Sequence, residues 1–164
     1  MRLIIKLASL LLFASLVPLV AGCMQTAMFY HGAPVTSVPV VALREGPPVA
    51  GTWETFDLVI NYTYQRNGDT LELSGQAALS QHYQTLYPAV SRMRTYLFFV
   101  DQDSRVLETV NFVKVWTSGT EDIQRFSKSY QVPAGTAGIS FGYSGAVQGE
   151  DSVTSFSELP LGRQ

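Results

Sequence analysis

Two histidines, one cysteine and a scatter of carboxylates are the residues of this chain best suited to chemistry, and their spacing limits what they can do. The nearest approach to an activated nucleophile is Gly142-Tyr143-Ser144-Gly145-Ala146. A G-x-S-x-G elbow needs Gly where Ala146 stands, a helix after it and a histidine later in the chain. Both His31 and His82 lie upstream, so the stretch reads as a Gly-rich strand. Asp101-Gln102-Asp103 could supply oxygens to a calcium loop, which also needs an oxygen ligand at its fifth position and Gly at its sixth. Arg105 holds the fifth position, and turn chemistry accounts for both aspartates. Glu121 and Asp122 read as an exposed acidic turn. Zinc requires convergent His, Cys or carboxylate ligands, and two unrelated histidines offer no such set. What remains is aromatic: His82, Tyr83, Tyr87 and Trp116. On a long loop such residues can stack on a sugar or anchor a protein interface. Alternatively, Tyr83, Tyr87 and Trp116 close off the end of a core. The expectation is a protein that is not an enzyme, with no metal and no catalytic residue, and with His82, Tyr83, Tyr87 and Trp116 as the candidate binding residues.

The lone cysteine has a different context. Residues 1–22 carry Arg2 and Lys6, then an apolar run from Leu7 to Leu19 broken by Pro18, then small residues. That is the pattern of an export signal, and the run is short of the roughly 20 residues of a lasting membrane span. Val20-Ala21-Gly22-Cys23 at its end resembles the lipobox of bacterial lipoproteins. The resemblance covers about the first 23 residues. It implies cleavage between Gly22 and Cys23, a diacylglycerol or acyl lipid on Cys23 as the only attached group, and stable membrane anchoring. Met24 stands where the inner-membrane retention pattern has Asp, so the resemblance favours the outer membrane, or the outer face of the cytoplasmic membrane if the cell has only one. Without the leader the chain has 142 residues, with 9 basic against 13 acidic, a net charge of about −4. No basic stripe is left for nucleic acid.

The elements that would position these residues are strands. Phe56 to Leu79 reads as a β-hairpin around Asn67-Gly68, two residues tolerant of φ > 0 and suited to a type I′ turn. Such a loop pairs Tyr64 with Leu71, Tyr62 with Leu73, Ile60 with Gly75, Leu58 with Ala77 and Phe56 with Leu79, an apolar face backed by a polar one. Ser80 to Ser91 is a long connection compatible with one helical turn, stopped by Pro88. Arg92–Val100 and Val106–Trp116 read as a strand pair. A three-residue loop opposes Val100 to Val106 and Phe99 to Leu107; an even loop opposes Val100 to Leu107 and Phe99 to Glu108; the first is the one favoured. Ile123–Val132 and Gly138–Ala146 follow as strands around Pro133-Ala134-Gly135-Thr136.

The expected fold is an all-β antiparallel sandwich of six to eight strands, faintly similar to the immunoglobulin-like or FxLYD-like domains of bacterial surface proteins. Its parts are a leader (1–22), a lipidated cysteine and Pro-containing tether (23–51), the sandwich (52–146) and a tail or edge strand (147–164). Within the tether, Val38 to Leu43 reads equally as a loose linker or a short edge strand. Alternating strand directions put the turns at Asn67-Gly68, Asp103 and Pro133 at one end. The long connections, the tether and the tail then fall at the other. The functional expectation is a lipid-anchored envelope protein acting through contacts with an envelope protein partner. The alternative is a carbohydrate- or small-molecule-binding lipoprotein using residues 80–91.

Overall fold

A computed structural model describes residues 30–113 and 118–160. Leu58, Ile60, Tyr62 and Tyr64 alternate with polar residues, as do Leu71, Leu73, Ala77 and Leu79, and this period of two builds a hairpin with one buried face. The hairpin consists of β3 (Leu58–Asn67) and β4 (Thr70–Leu79). It is flanked by β2 (Val49–Glu54) and β8 (Gln124–Gln131), giving a four-stranded sheet in the order β2-β3-β4-β8. The second sheet has at its centre β5 (Ala89–Val100) and β9 (Gly138–Gln148), both long and heavily buried. Beside β5 lie β6 (Val106–Val113) and β7 (Ser118–Gly119); beside β9 lie β1 (Val41–Ala42) and β10 (Val153–Glu158). The pairings β4 with β8 and β5 with β9 interlock the two sheets in an immunoglobulin-like Greek key. Between the sheets Trp53 packs edge-on to Phe141 (5.6 Å), Phe112 to Phe126 (4.8 Å) and Phe99 to Tyr130 (6.2 Å).

The sandwich has ten strands among the described residues, above the expected six to eight, because β1 and β7 are two-residue pairings and the tail supplies β10. The hairpin register also differs from the expectation. Asn67 pairs with Thr70, so the loop is Gly68-Asp69. Only Gly68 of the two has φ > 0 (57°), the signature of a type II′ turn, in which the first loop residue is Gly. Every partner moves by two residues: Tyr64 faces Leu73, Tyr62 faces Gly75 and Ile60 faces Ala77. An even shift preserves the buried face. Phe56 is not a hairpin residue at all; it sits in the turn between β2 and β3 and is 71% exposed.

Gly75 is the position where the hairpin depends on glycine. A Cβ there would collide with the Asn61 carbonyl and approach Tyr62 Cα, while Phe126 Cζ already lies 3.0 Å away. In the β5–β6 pair the favoured register holds only at its first pair. Val100 faces Val106, and after a bulge Phe99 faces Glu108.

Residues 30–48 wrap the sandwich. Gly32 N–H donates to the Val106 carbonyl (2.7 Å), Val35 N–H to that of Ser104 (2.9 Å), and Val41 and Ala42 pair with β9. The Pro39 carbonyl accepts from Trp53 Nε1 (3.1 Å) and Ser140 Oγ (2.8 Å). The edge-strand alternative for Val38 to Leu43 is therefore the one realised. The wrap begins at the Asp101–Arg105 turn, where Tyr30 packs edge-on to Phe98 (5.6 Å). This corrects the expectation that the leading segment joins the long-connection end. It enters at the end of the tight turns, where Arg66, Gly68 and Val132 also meet.

Candidate functional site

At the opposite end β4 leads into a short helix, α1 (Gln81–Leu86). Ser80 starts it with its carbonyl, which accepts from Tyr83 and Gln84 N–H (3.0 and 3.1 Å). Gln84 Nε2 closes back on the Leu79 carbonyl (2.8 Å). Tyr87 is extended and Pro88 follows, so the helix cannot continue. One turn of helix turns Tyr83 inward and leaves His82 and Leu86 on the outside.

Tyr83 is 7% exposed and lies against Phe156 (5.0 Å) and Tyr87 (5.6 Å, stacked). Burial, then the charge of the neighbouring Asp57 carboxylate, pushes its hydroxyl up to about 12. Tyr87 is half-buried, and its hydroxyl donates to Thr154 Oγ1 (3.2 Å) while its carbonyl accepts from Thr120 Oγ1 (2.6 Å). Beneath them Tyr143 donates to Asp57 Oδ2 (2.8 Å) and meets Thr55 Oγ1 at 2.9 Å. Burial is the main reason its hydroxyl is held well above the usual phenol range. At neutral pH Tyr83 and Tyr143 hold their protons, which makes them poor general bases. They tie the β2–β3 turn, α1 and β10 into one cap over the core.

His82 is exposed, and its ring lies 4.9 Å from that of Phe56. Leu86 at the end of α1 (56% exposed), Ile123 before β8 and Val153 at the start of β10 are further exposed apolar residues. The patch is acidic as well as apolar. The turns 55–57, 80–88, 118–123 and 149–152 hold Asp57, Glu121, Asp122, Glu150 and Asp151 and no Lys or Arg. An open cleft of about 660 Å³ runs between the end of α1 and the β9–β10 turn, lined by Leu86, Tyr87, Pro88 and Glu150 among others.

The structure thus brings together three of the expected binding residues and divides their work. Tyr83 and Tyr87 hold the cap, and His82 faces solvent. Trp116, Gly22 and Cys23 lie outside the described residues. Sequence reasoning missed Phe56, which continues the alternating pattern of β3 by one step. The signal against that reading is its setting between Thr55 and Asp57, both turn formers: Thr55 Oγ1 accepts from Leu58 N–H (3.2 Å), closing a tight turn. At the far end Asp101 Oδ1 accepts from the N–H of Asp103 and Arg105 (2.9 Å each), which is the turn role expected of it. No group of three metal-capable side chains converges among the described residues. Compared with protein families, characterised proteins and solved structures, the chain matches none.

Proposed function

We propose that this chain is a lipid-anchored envelope protein without enzymatic activity, whose sandwich docks a partner protein at the α1 end. The observation that carries the reading is the exposed Phe56–His82 pair, flanked by Leu86, at the end of the domain farthest from where the chain enters it. Phenylalanine is enriched in protein interfaces relative to the rest of the surface. The exposed carboxylates of the neighbouring turns, Glu121, Asp122, Glu150 and Asp151, suggest the partner's chemistry: an apolar surface rimmed by Lys or Arg.

Anchoring and docking fit one geometry. Cys23 lies seven residues before Tyr30, a reach of about 25 Å at most. The lipid would hold the tight-turn end near the bilayer. β3, with ten residues, carries the opposite end roughly 30 Å farther out. The alternative of a carbohydrate ligand on residues 80–91 has less support, because Tyr83 is buried against Tyr87 and Phe156.

Photo-crosslinking in intact cells tests the docking. A crosslinker at position 56 should give one reproducible protein adduct, and one at position 128, on an outer strand face, should not. Monomer alone from position 56, or the same adducts from both, refutes the reading. For the anchor, Cys23→Ala should leave the protein unprocessed or soluble. Membrane retention of that variant after loss of the leader would refute lipidation.

A further inference from the structure

We propose a second site, distinct from the α1 end: a trough on the outer face of the second sheet that binds a phosphate monoester. Arg92 and Arg94 are two residues apart on β5 with Met93 fully buried between them, so both side chains leave the outer face about 6.6 Å apart. In register, Arg94 lies beside Ser144 and Ser144 beside Ser157, while Arg92 lies beside Ala146 and Ala146 beside Ser155. Small residues in those positions leave a trough of about 310 Å³, lined by Arg92, Arg94, Ser144, Ser155 and Ser157 together with the edge of Phe156.

A bulge places the arginines there. The β5–β9 register shifts between Val90 and Arg92, and Ser91 Oγ donates to the Ala146 carbonyl (2.9 Å). Without the extra residue Arg92 would share a face with Val90, which is buried in the core. The bulge swaps the alternation, so a strand that continues the core also aims two guanidinium groups outward.

Two like charges so close repel each other. Among the described residues neither guanidinium has an ion pair or hydrogen bond, and the three serine hydroxyls have none either. The polar lining carries no carboxylate: two planar forks suited to bidentate contact with an oxyanion, and three hydroxyls able to donate. Two positive charges match a phosphate monoester, near −2 at neutral pH, better than a carboxylate or a diester. The trough has the size of a small-ligand site rather than of a polymer groove. The sequence signal is short: Arg-x-Arg on a strand, with Ser-x-Ser on the strand two places away.

Titration of the purified protein with glucose 1-phosphate, followed by amide NMR, tests the site. Saturable shifts at Ser144, Ser155 and Ser157 are expected, with inorganic phosphate competing and plain glucose inert. The double variant R92A/R94A should weaken binding at least tenfold at an unchanged unfolding midpoint, because each lost contact is a charged hydrogen bond. Arg125→Ala, on the other sheet, should bind as the wild type does. Replacing both arginines by lysine should give an intermediate affinity, since charge remains but the fork does not. A parallel arm uses phosphatidylcholine vesicles with and without phosphatidic acid. Binding to phosphatidic acid that R92A/R94A abolishes would assign the phosphate to a lipid headgroup, and binding of the sugar phosphate alone would assign it to a soluble ligand. Absence of saturable binding in both arms, or affinity within twofold of wild type in R92A/R94A, would overturn the proposal.

Discussion

Raising the pH should unfold this protein through its buried tyrosines. Tyr83 and Tyr130 have their hydroxyls pushed up to about 12 and Tyr143 is higher still, in each case chiefly by burial. In the unfolded chain the same groups ionise near 10. Between those values the folded state keeps protons that the unfolded state has lost, so stability is complete below pH 10 and falls as pH rises. Each such group costs about 1 kcal/mol between pH 10 and 11, so three together cost roughly 3 kcal/mol at most, before solvent screening is discounted. That is a sizeable fraction of the whole stability of a domain of this size. Urea unfolding at half-unit steps from pH 8 to 11 should give a flat midpoint to about 9.5 and then a steep fall, with tyrosinate absorbance rising in step with unfolding. Two variants separate the contributions. The Tyr130 hydroxyl is buried with no partner, so Tyr130→Phe should be neutral or stabilising at pH 8 and should flatten the alkaline slope by about a third. Tyr143→Phe should also flatten it, but at pH 8 it should cost about 1–2 kcal/mol, because Asp57 and Thr55 lose their partner. A midpoint that stays level to pH 11, or tyrosines that all titrate near 10 in the folded protein, would refute the reasoning.

Gly75→Ala should destabilise by about 3 kcal/mol or more, since its Cβ meets the Asn61 carbonyl in the partner strand and neither backbone can retreat; thermal unfolding would check it, and an unchanged midpoint would count against the register described. Phe56→Ser should leave the unfolding midpoint within the small range of surface changes while removing the adduct captured from a crosslinker at position 86, so a large stability loss would mean that Phe56 serves the core.

Much of the sandwich was legible in the sequence because alternation survives errors of register. A two-residue shift in the hairpin changed every partner of β3 and β4 yet left Leu58, Ile60, Tyr62 and Tyr64 facing the core. The turn was misplaced because Asn-Gly fits a I′ loop on local grounds, whereas Gly68-Asp69 forms a II′ loop one position later. The bulges after Val90 and before Val100 were not legible. A single extra residue leaves no compositional mark unless the flanking burial is known, and at Val90–Arg92 that residue decides which face the arginines take. The site was half legible. His82, Tyr83 and Tyr87 stood out by type, but which of them remains exposed depends on where one helical turn sits over Phe156 and Asp57, residues from opposite ends of the chain.

The reversal of the leading segment changes the functional argument most. With a tether at the α1 end, a lipid on Cys23 would press the exposed aromatic patch and the four exposed carboxylates of its neighbouring turns against the membrane. Anionic headgroups would repel that acidic rim, and a protein partner would have to enter a narrow gap. The hydrogen bonds of Gly32 and Val35 to the Asp101–Arg105 region anchor the wrap at the other end instead. There His31, Arg44, Arg66 and Arg105 stand among Glu45, Asp69, Asp101 and Asp103, a mixed and nearly neutral set that a bilayer surface tolerates. In the proposed reading the tight turns and the wrap would lie toward the membrane, and the cap built on Tyr83 and Tyr143 would present Phe56 and His82 to a partner protein.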